Sequence, residues 1–194
     1  MRLIYVCMAT LLLIGSVIAF AEQVKVTNIE DNKGGVYQAT ELEEGGKFFH
    51  DRDYTITNIP KDFLGFTQVS TSADCPGGQE YRLTFEIDRS AYIYQAWDSR
   101  HKSPEDRGQD PKGWFTDGYT LTEESLFLDA PHDPTEYFIY KSNEPYPKGE
   151  VELLGIDEVI GDPVLMWTIF LEEGQLPVDP EGNLTTTWGE IKTD

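Results

Sequence analysis

Eight consecutive residues, Tyr81-Arg82-Leu83-Thr84-Phe85-Glu86-Ile87-Asp88, alternate apolar and polar without a break. A period of two fits a strand with one buried face and one wet face, and it does not fit a helix, whose period is 3.6. No stretch of the chain sustains helical periodicity, and no internal repeat or heptad pattern is present. Further strand-like runs occur at 24–27, 35–39, 54–58, 66–70, 91–97, 125–128, 137–140, 150–154 and 164–171, parted by Gly, Pro, Asp and Asn. Many short strands at this spacing predict an all-β fold, an antiparallel β-sandwich or jelly roll. Asp88-Arg89-Ser90 reads as a tight hairpin link, which would make 81–88 and 91–97 antiparallel neighbours. The run 164–171 is apolar apart from Thr168 and is expected to be buried on both faces.

The charge balance narrows the partners. Of 194 residues, 35 are Asp or Glu and 15 are Lys or Arg, a formal net charge of −20. So acidic a surface repels phosphates and excludes nucleic acid. Hydrophobic residues make up 39% of the chain, enough for a core, and the composition fits neither a disordered chain nor a multi-spanning membrane protein.

Arg2, the apolar stretch opening at Leu11-Leu12-Leu13-Ile14 and the ending Ala19-Phe20-Ala21 predict a signal peptide over 1–21, cleaved before Glu22. The expectation is a secreted or periplasmic protein with no stable membrane insertion after cleavage. It would have a β-sandwich domain over 22–171 and a linker-like tail over 172–194. Cys75 would then be the sole cysteine, so an intramolecular disulfide is not available despite an oxidising destination. No histidine or base neighbours it in sequence to activate the thiol.

Catalytic signatures are missing. The sequence has no G-x-S-x-G elbow, H-E-x-x-H helix, phosphate-binding G-x-x-x-x-G-K-[ST] or G-x-G-x-x-G turn. His50, His101 and His132 lie far apart in loop-like contexts and read as solvated residues rather than metal ligands. With 35 acids, any two could be named as a glycosidase pair, but their required separation of roughly 5 to 9.5 Å is a property of the fold. No cofactor is implied. A structural Ca²⁺ remains an open alternative, because loop carbonyls with one or two acids suffice to hold it and leave no signature. Asp51-Arg52-Asp53 offers only the first two alternating acids of an EF-hand loop.

The aromatic pattern points towards sugars. Tyr92 and Tyr94 fall on one face of their strand, with Ile93, Gln95 and Trp97 on the other, so one aromatic set faces the core. The long polar connection 98–119 is bracketed by Trp97, Asp98, Arg100 and Trp114, where an exposed ring could stack on a sugar and the charged groups could bind its hydroxyls. The competing reading has Trp97 and Trp114 packing together to pin the loop, with Asp98 and Arg100 as a supporting ion pair.

The stretch Phe49-His50-Asp51-Arg52-Asp53-Tyr54-Thr55-Ile56-Thr57-Asn58-Ile59-Pro60, followed by Leu64-Gly65, joins Tyr92-Ile93-Tyr94-Gln95-Ala96-Trp97-Asp98-Ser99-Arg100 and Gly113-Trp114-Phe115 in a recognisable pattern. It resembles β-sandwich accessory domains of secreted bacterial proteins, including polysaccharide-degrading ones, and is similar to galactose-binding-like jelly rolls. The resemblance places Asp51, Arg52, Tyr54, Asp98 and Arg100 at motif positions. The run 73–78 and the charged loop 101–112 depart from the pattern.

The resemblance implies non-catalytic binding or a structural module. Taken with the aromatic pattern, the first reading is a module that binds carbohydrate or a cell-surface glycan, with Trp97, Asp98, Arg100, Trp114, Asp51 and Arg52 as ligand contacts. A structural or protein-interaction module without a sugar site is the alternative, and a polysaccharide lyase or glycosidase ranks behind both. An exposed Trp97, Trp114 or tyrosine face favours the first reading, and burial of these rings favours the second.

Overall fold

The computed structural model describes residues 23–73, 81–99, 114–129, 135–154 and 167–174. In chain order they form β1 (Val26–Asp31), β2 (Gln38–Glu41), β3 (Thr55–Asn58), a 3-10 turn (Lys61–Phe63), β4 (Thr67–Ser70), β5 (Arg82–Ile87) and β6 (Ala91–Asp98). A short helix α1 (Trp114–Gly118) leads into β7 (Tyr119–Asp129), β8 (Thr135–Ser142), β9 (Gly149–Leu154) and β10 (Trp167–Glu173). Two antiparallel sheets make a β-sandwich. One has the order β1-β5-β9 and the other β2-β4-β10-β6-β8-β7-β3.

Leu83, Phe85 and Ile87 of β5 point inward, while Arg82, Thr84 and Glu86 stay partly or fully wet, as the alternation requires. They meet Ile93, Trp97, Tyr140, Trp167, Ile169 and Leu171 of the larger sheet in a core between the two sheets. Burying an aliphatic or aromatic side chain of this kind contributes about 1.5–3 kcal/mol.

The larger sheet is buried on its other face too. Tyr94, Ala96, Ile139, Tyr137 and Phe170 form a second core with Leu42, Phe48, Phe49 and Phe63. The segment 42–50 supplies this cover by bridging the sheet's two edges. Leu42 and His50 donate backbone hydrogen bonds to Phe66 and Thr71 beside β4, while Gly45 and Phe48 donate to Ile56 and Tyr54 at β3. The sheet therefore curls around the second core. From the 3-10 turn, the Phe63 ring packs 5.1 Å from Tyr94 and 5.7 Å from Phe170. Trp167 to Leu171, between β4 and β6, are all buried, as a nearly unbroken apolar run requires, and the one polar member, Thr168, donates its hydroxyl to the Val69 carbonyl at 3.1 Å.

One pairing differs from expectation. β5 and β6 are not a hairpin: β5 pairs with β1 and β9, and β6 with β10 and β8. At Asp88-Arg89-Ser90 the chain crosses from one sheet to the other. Asp88 accepts from the Lys25 N–H at 2.9 Å and donates its own to the Lys25 carbonyl, fixing the end of β5 against the approach to β1. Ala91 instead exchanges two backbone hydrogen bonds with Tyr146. The outer faces explain the choice, because pairing the strands would set buried Tyr94 and Ala96 beside the wet Thr84 and Glu86.

β4, β6, β7 and β9 end, and β5, β8 and β10 begin, at one end of the sandwich. The opposite end carries the β5–β6 crossing, the start of β7 and the turn 143–148 between β8 and β9.

Candidate functional site

Four of the residues singled out from sequence stand at the first of these ends, and they do not share a surface. Trp97 is 7% exposed and faces the core between the sheets. Its ring stacks on Trp167 at 5.5 Å and meets Phe115 of α1 edge-on at 5.7 Å. Asp98 is buried, facing the opposite way, next to Tyr137 in register. The parity read for β6 is present, yet both of its faces are covered, so the aromatic platform expected at Trp97 is not on the surface. Trp114 opens α1. Arg100, with Cys75 and most of the loop 98–119, lies outside the described residues, as do the segments 1–22 and 175–194.

Asp51 ties a turn. Its carboxylate accepts from Ser72 Oγ at 2.6 Å, the Ala73 N–H at 2.9 Å and Arg52 Nη1 at 3.2 Å, fastening the segment 48–52 to the exit of β4. Burial alone would raise its pKa, but the bonds from Ser72 and Ala73 and the charge of Arg52 together hold it below the usual aspartate value.

Two hollows lie at the opposite end and share Ser142 and Asn143. The first, about 310 Å³, is lined by Tyr92, Thr120, Leu121, Thr122 and Lys141 with the shared pair. The second, about 560 Å³, adds Asp117, Gly118, Glu144, Pro145, Tyr146 and Pro147. The sequence Asn143-Glu144-Pro145-Tyr146-Pro147 creates them, since the two prolines supply no N–H and stop further pairing after β8. Gly149, at φ 127°, then turns the chain into β9.

The wall between the hollows is held firmly. Asn143 donates its backbone N–H to the Gly118 carbonyl at 2.8 Å and its Nδ2 to the Asp117 carbonyl at 2.8 Å, while its Oδ1 accepts from Thr120 Oγ1 at 2.7 Å. Tyr146 is fixed by its paired backbone bonds to Ala91 and by a 3.1 Å contact between its hydroxyl and that of Tyr119. Burial raises both phenols' pKa values. Gly174 packs beneath this corner, where a Cβ would come 2.8 Å from Pro145 and 3.3 Å from Tyr92.

Lys141 closes the first hollow. Its Nζ is 4.1 Å from the Tyr92 ring centre and 3.0 Å from Glu172 Oε2, the oxygen that also accepts from the Tyr94 hydroxyl at 2.6 Å. Burial first, then the bond to Glu172, push the Tyr94 pKa up. Among the described residues no three His, Cys, Asp or Glu side chains converge as a metal site, and no helix is long and apolar enough to cross a membrane. Sequence reading noticed Tyr92 but passed over Asn143 and Tyr146. The available signal was the Asn-Glu-Pro-Tyr-Pro run between two strands.

No known protein family matches the chain, and no curated protein does. Five solved chains are similar in structure. A β-glucuronidase from glycoside hydrolase family 2 superposes with a TM-score of 0.55 at 16% identity, over 76% of this chain and 14% of the enzyme. The likeness is one of fold. A GH138 enzyme targeting pectin rhamnogalacturonan II follows with a TM-score of 0.46 at 16% identity, over 78% of this chain and 16% of its own. This chain thus spans a small part of either enzyme's length.

Proposed function

We propose that the protein is an exported, non-catalytic β-sandwich module of galactose-binding-like type that binds carbohydrate at the paired hollows around Asn143. The observation that carries this reading is the combined lining of the two hollows. Tyr92 and Tyr146 present aromatic surface beside Thr120, Thr122, Ser142 and Asn143. A sugar offers the matching chemistry, with an apolar C–H face to lie on a ring and hydroxyls to exchange hydrogen bonds with amides and alcohols. The sandwich fold shared with part of a β-glucuronidase adds an associational argument only. Export rests on the segment 1–21.

A structural or protein-interaction module is the second reading, and the burial of Trp97 against Trp167 favours it. A glycan array probed with the purified chain from Glu22 onward, with calcium and with chelator, separates the two. Binding that is lost in both Asn143→Ala and Tyr92→Ala, with unchanged circular dichroism, supports the glycan reading. A blank array supports the structural module. Release of new reducing ends from a bound oligosaccharide would replace the non-catalytic reading with a glycosidase.

A further inference from the structure

Resting on that reading, we infer that the site takes uncharged saccharides and that Glu172, which lines neither hollow, sets this preference by holding Lys141. Lys141 is the one cationic side chain among the described residues lining the two hollows. Its position is set by neighbours across three strands. Glu172 of β10 stands opposite Tyr92 of β6, and Tyr94 of β6 stands opposite Lys141 of β8. The Lys141 ammonium donates to Glu172 Oε2 at 3.0 Å while facing the rings of Tyr92 and Tyr94 at 4.1 and 5.1 Å. The same carboxylate oxygen takes the Tyr94 hydroxyl, so Glu172 is itself fixed from a second side. A lysine held in this way presents its hollow with an ion pair of no net charge.

The second hollow has the opposite bias. Asp117 and Glu144 line it, and no cation does among the described residues. An incoming carboxylate or sulfate would therefore meet a neutralised lysine on one side of Asn143 and two acids on the other, on a chain of net charge −20. A hydroxyl-rich neutral ligand meets none of this repulsion and finds Thr120, Thr122 and Asn143 as partners.

The experiment compares cellohexaose, mannohexaose, xylohexaose and maltohexaose with hexagalacturonate by titration calorimetry, at low salt and at roughly physiological salt. Wild-type protein binds at least one neutral probe with little salt dependence and binds hexagalacturonate more weakly, the deficit shrinking as salt rises. Glu172→Gln frees the Lys141 charge and strengthens hexagalacturonate binding about tenfold relative to the neutral probe, and Lys141→Gln in that background removes the gain. Thermal melts of each variant check folding. Wild-type hexagalacturonate binding equal to or tighter than neutral binding, or a ratio that folded Glu172→Gln leaves unchanged, overturns the inference while the glycan reading stands. Absence of binding to every probe by wild type and both variants overturns the glycan reading and this inference with it.

Discussion

The rings of Trp97 and Trp167, directly opposite in register on β6 and β10, stack 5.5 Å apart with 19° between their planes. This contact binds two neighbouring strands of the large sheet on the face turned to the smaller one, and Phe115 closes it edge-on. Trp97→Ala leaves a cavity in that core and should cost about 3–5 kcal/mol of stability in urea unfolding. A cost below about 1 kcal/mol, with carbohydrate binding abolished, would return Trp97 to the ligand surface.

Asp51 gives the fold an acid-sensitive tie. Its carboxyl titrates lower in the folded protein than in the unfolded chain, so its stabilisation is present above the unfolded value near about 3.9 and is lost as pH falls through the folded value. Asp51→Asn should lower stability by roughly 1–2 kcal/mol at neutral pH. The gap between wild type and variant should close on acidification below about pH 4. A gap that is constant across that window would assign the loss to shape rather than charge.

Gly174→Ala tests the support beneath the hollows. The added methyl would sit 2.8 Å from Pro145 and 3.3 Å from Tyr92, so the 143–147 turn must move outward. Stability should fall by about 1–3 kcal/mol, and affinity for any glycan bound by wild type should fall with it. Unchanged melting and binding would show that the corner yields without consequence.

Most strands were legible in the sequence because they bury side chains in a local pattern, whereas β2 exposes all four of its residues. Leu83, Phe85 and Ile87 announce β5 through alternation, and Trp167 to Leu171 announce a doubly buried strand through a run that is apolar but for Thr168. Partner choice was not legible. Asp88-Arg89-Ser90 has the length of a hairpin turn, and only the distant partners Lys25 and Tyr146 show that the chain changes sheet there. The parity of β6 was readable, but the cover over its Tyr94 face comes from Phe48, Phe49 and Phe63, whose placement depends on the curl of the whole sheet. The hollows escaped notice for the same reason. Tyr92, Thr120, Lys141 and Tyr146 come from separate segments, and registers between strands bring them together.

The central claim is that ligand binds at the end of the sandwich carrying Asn143. Its most direct test is amide chemical-shift mapping on ¹⁵N-labelled protein from Glu22 onward, titrated with the neutral hexasaccharide that binds best. The account predicts saturable shifts concentrated at Tyr92, Thr120, Thr122 and 141–146, with Asp51, Arg52, Ser72 and Asp98 unmoved. Shifts concentrated instead at Asp51, Arg52 and Trp97 to Ser99, with the Asn143 turn silent, would contradict it.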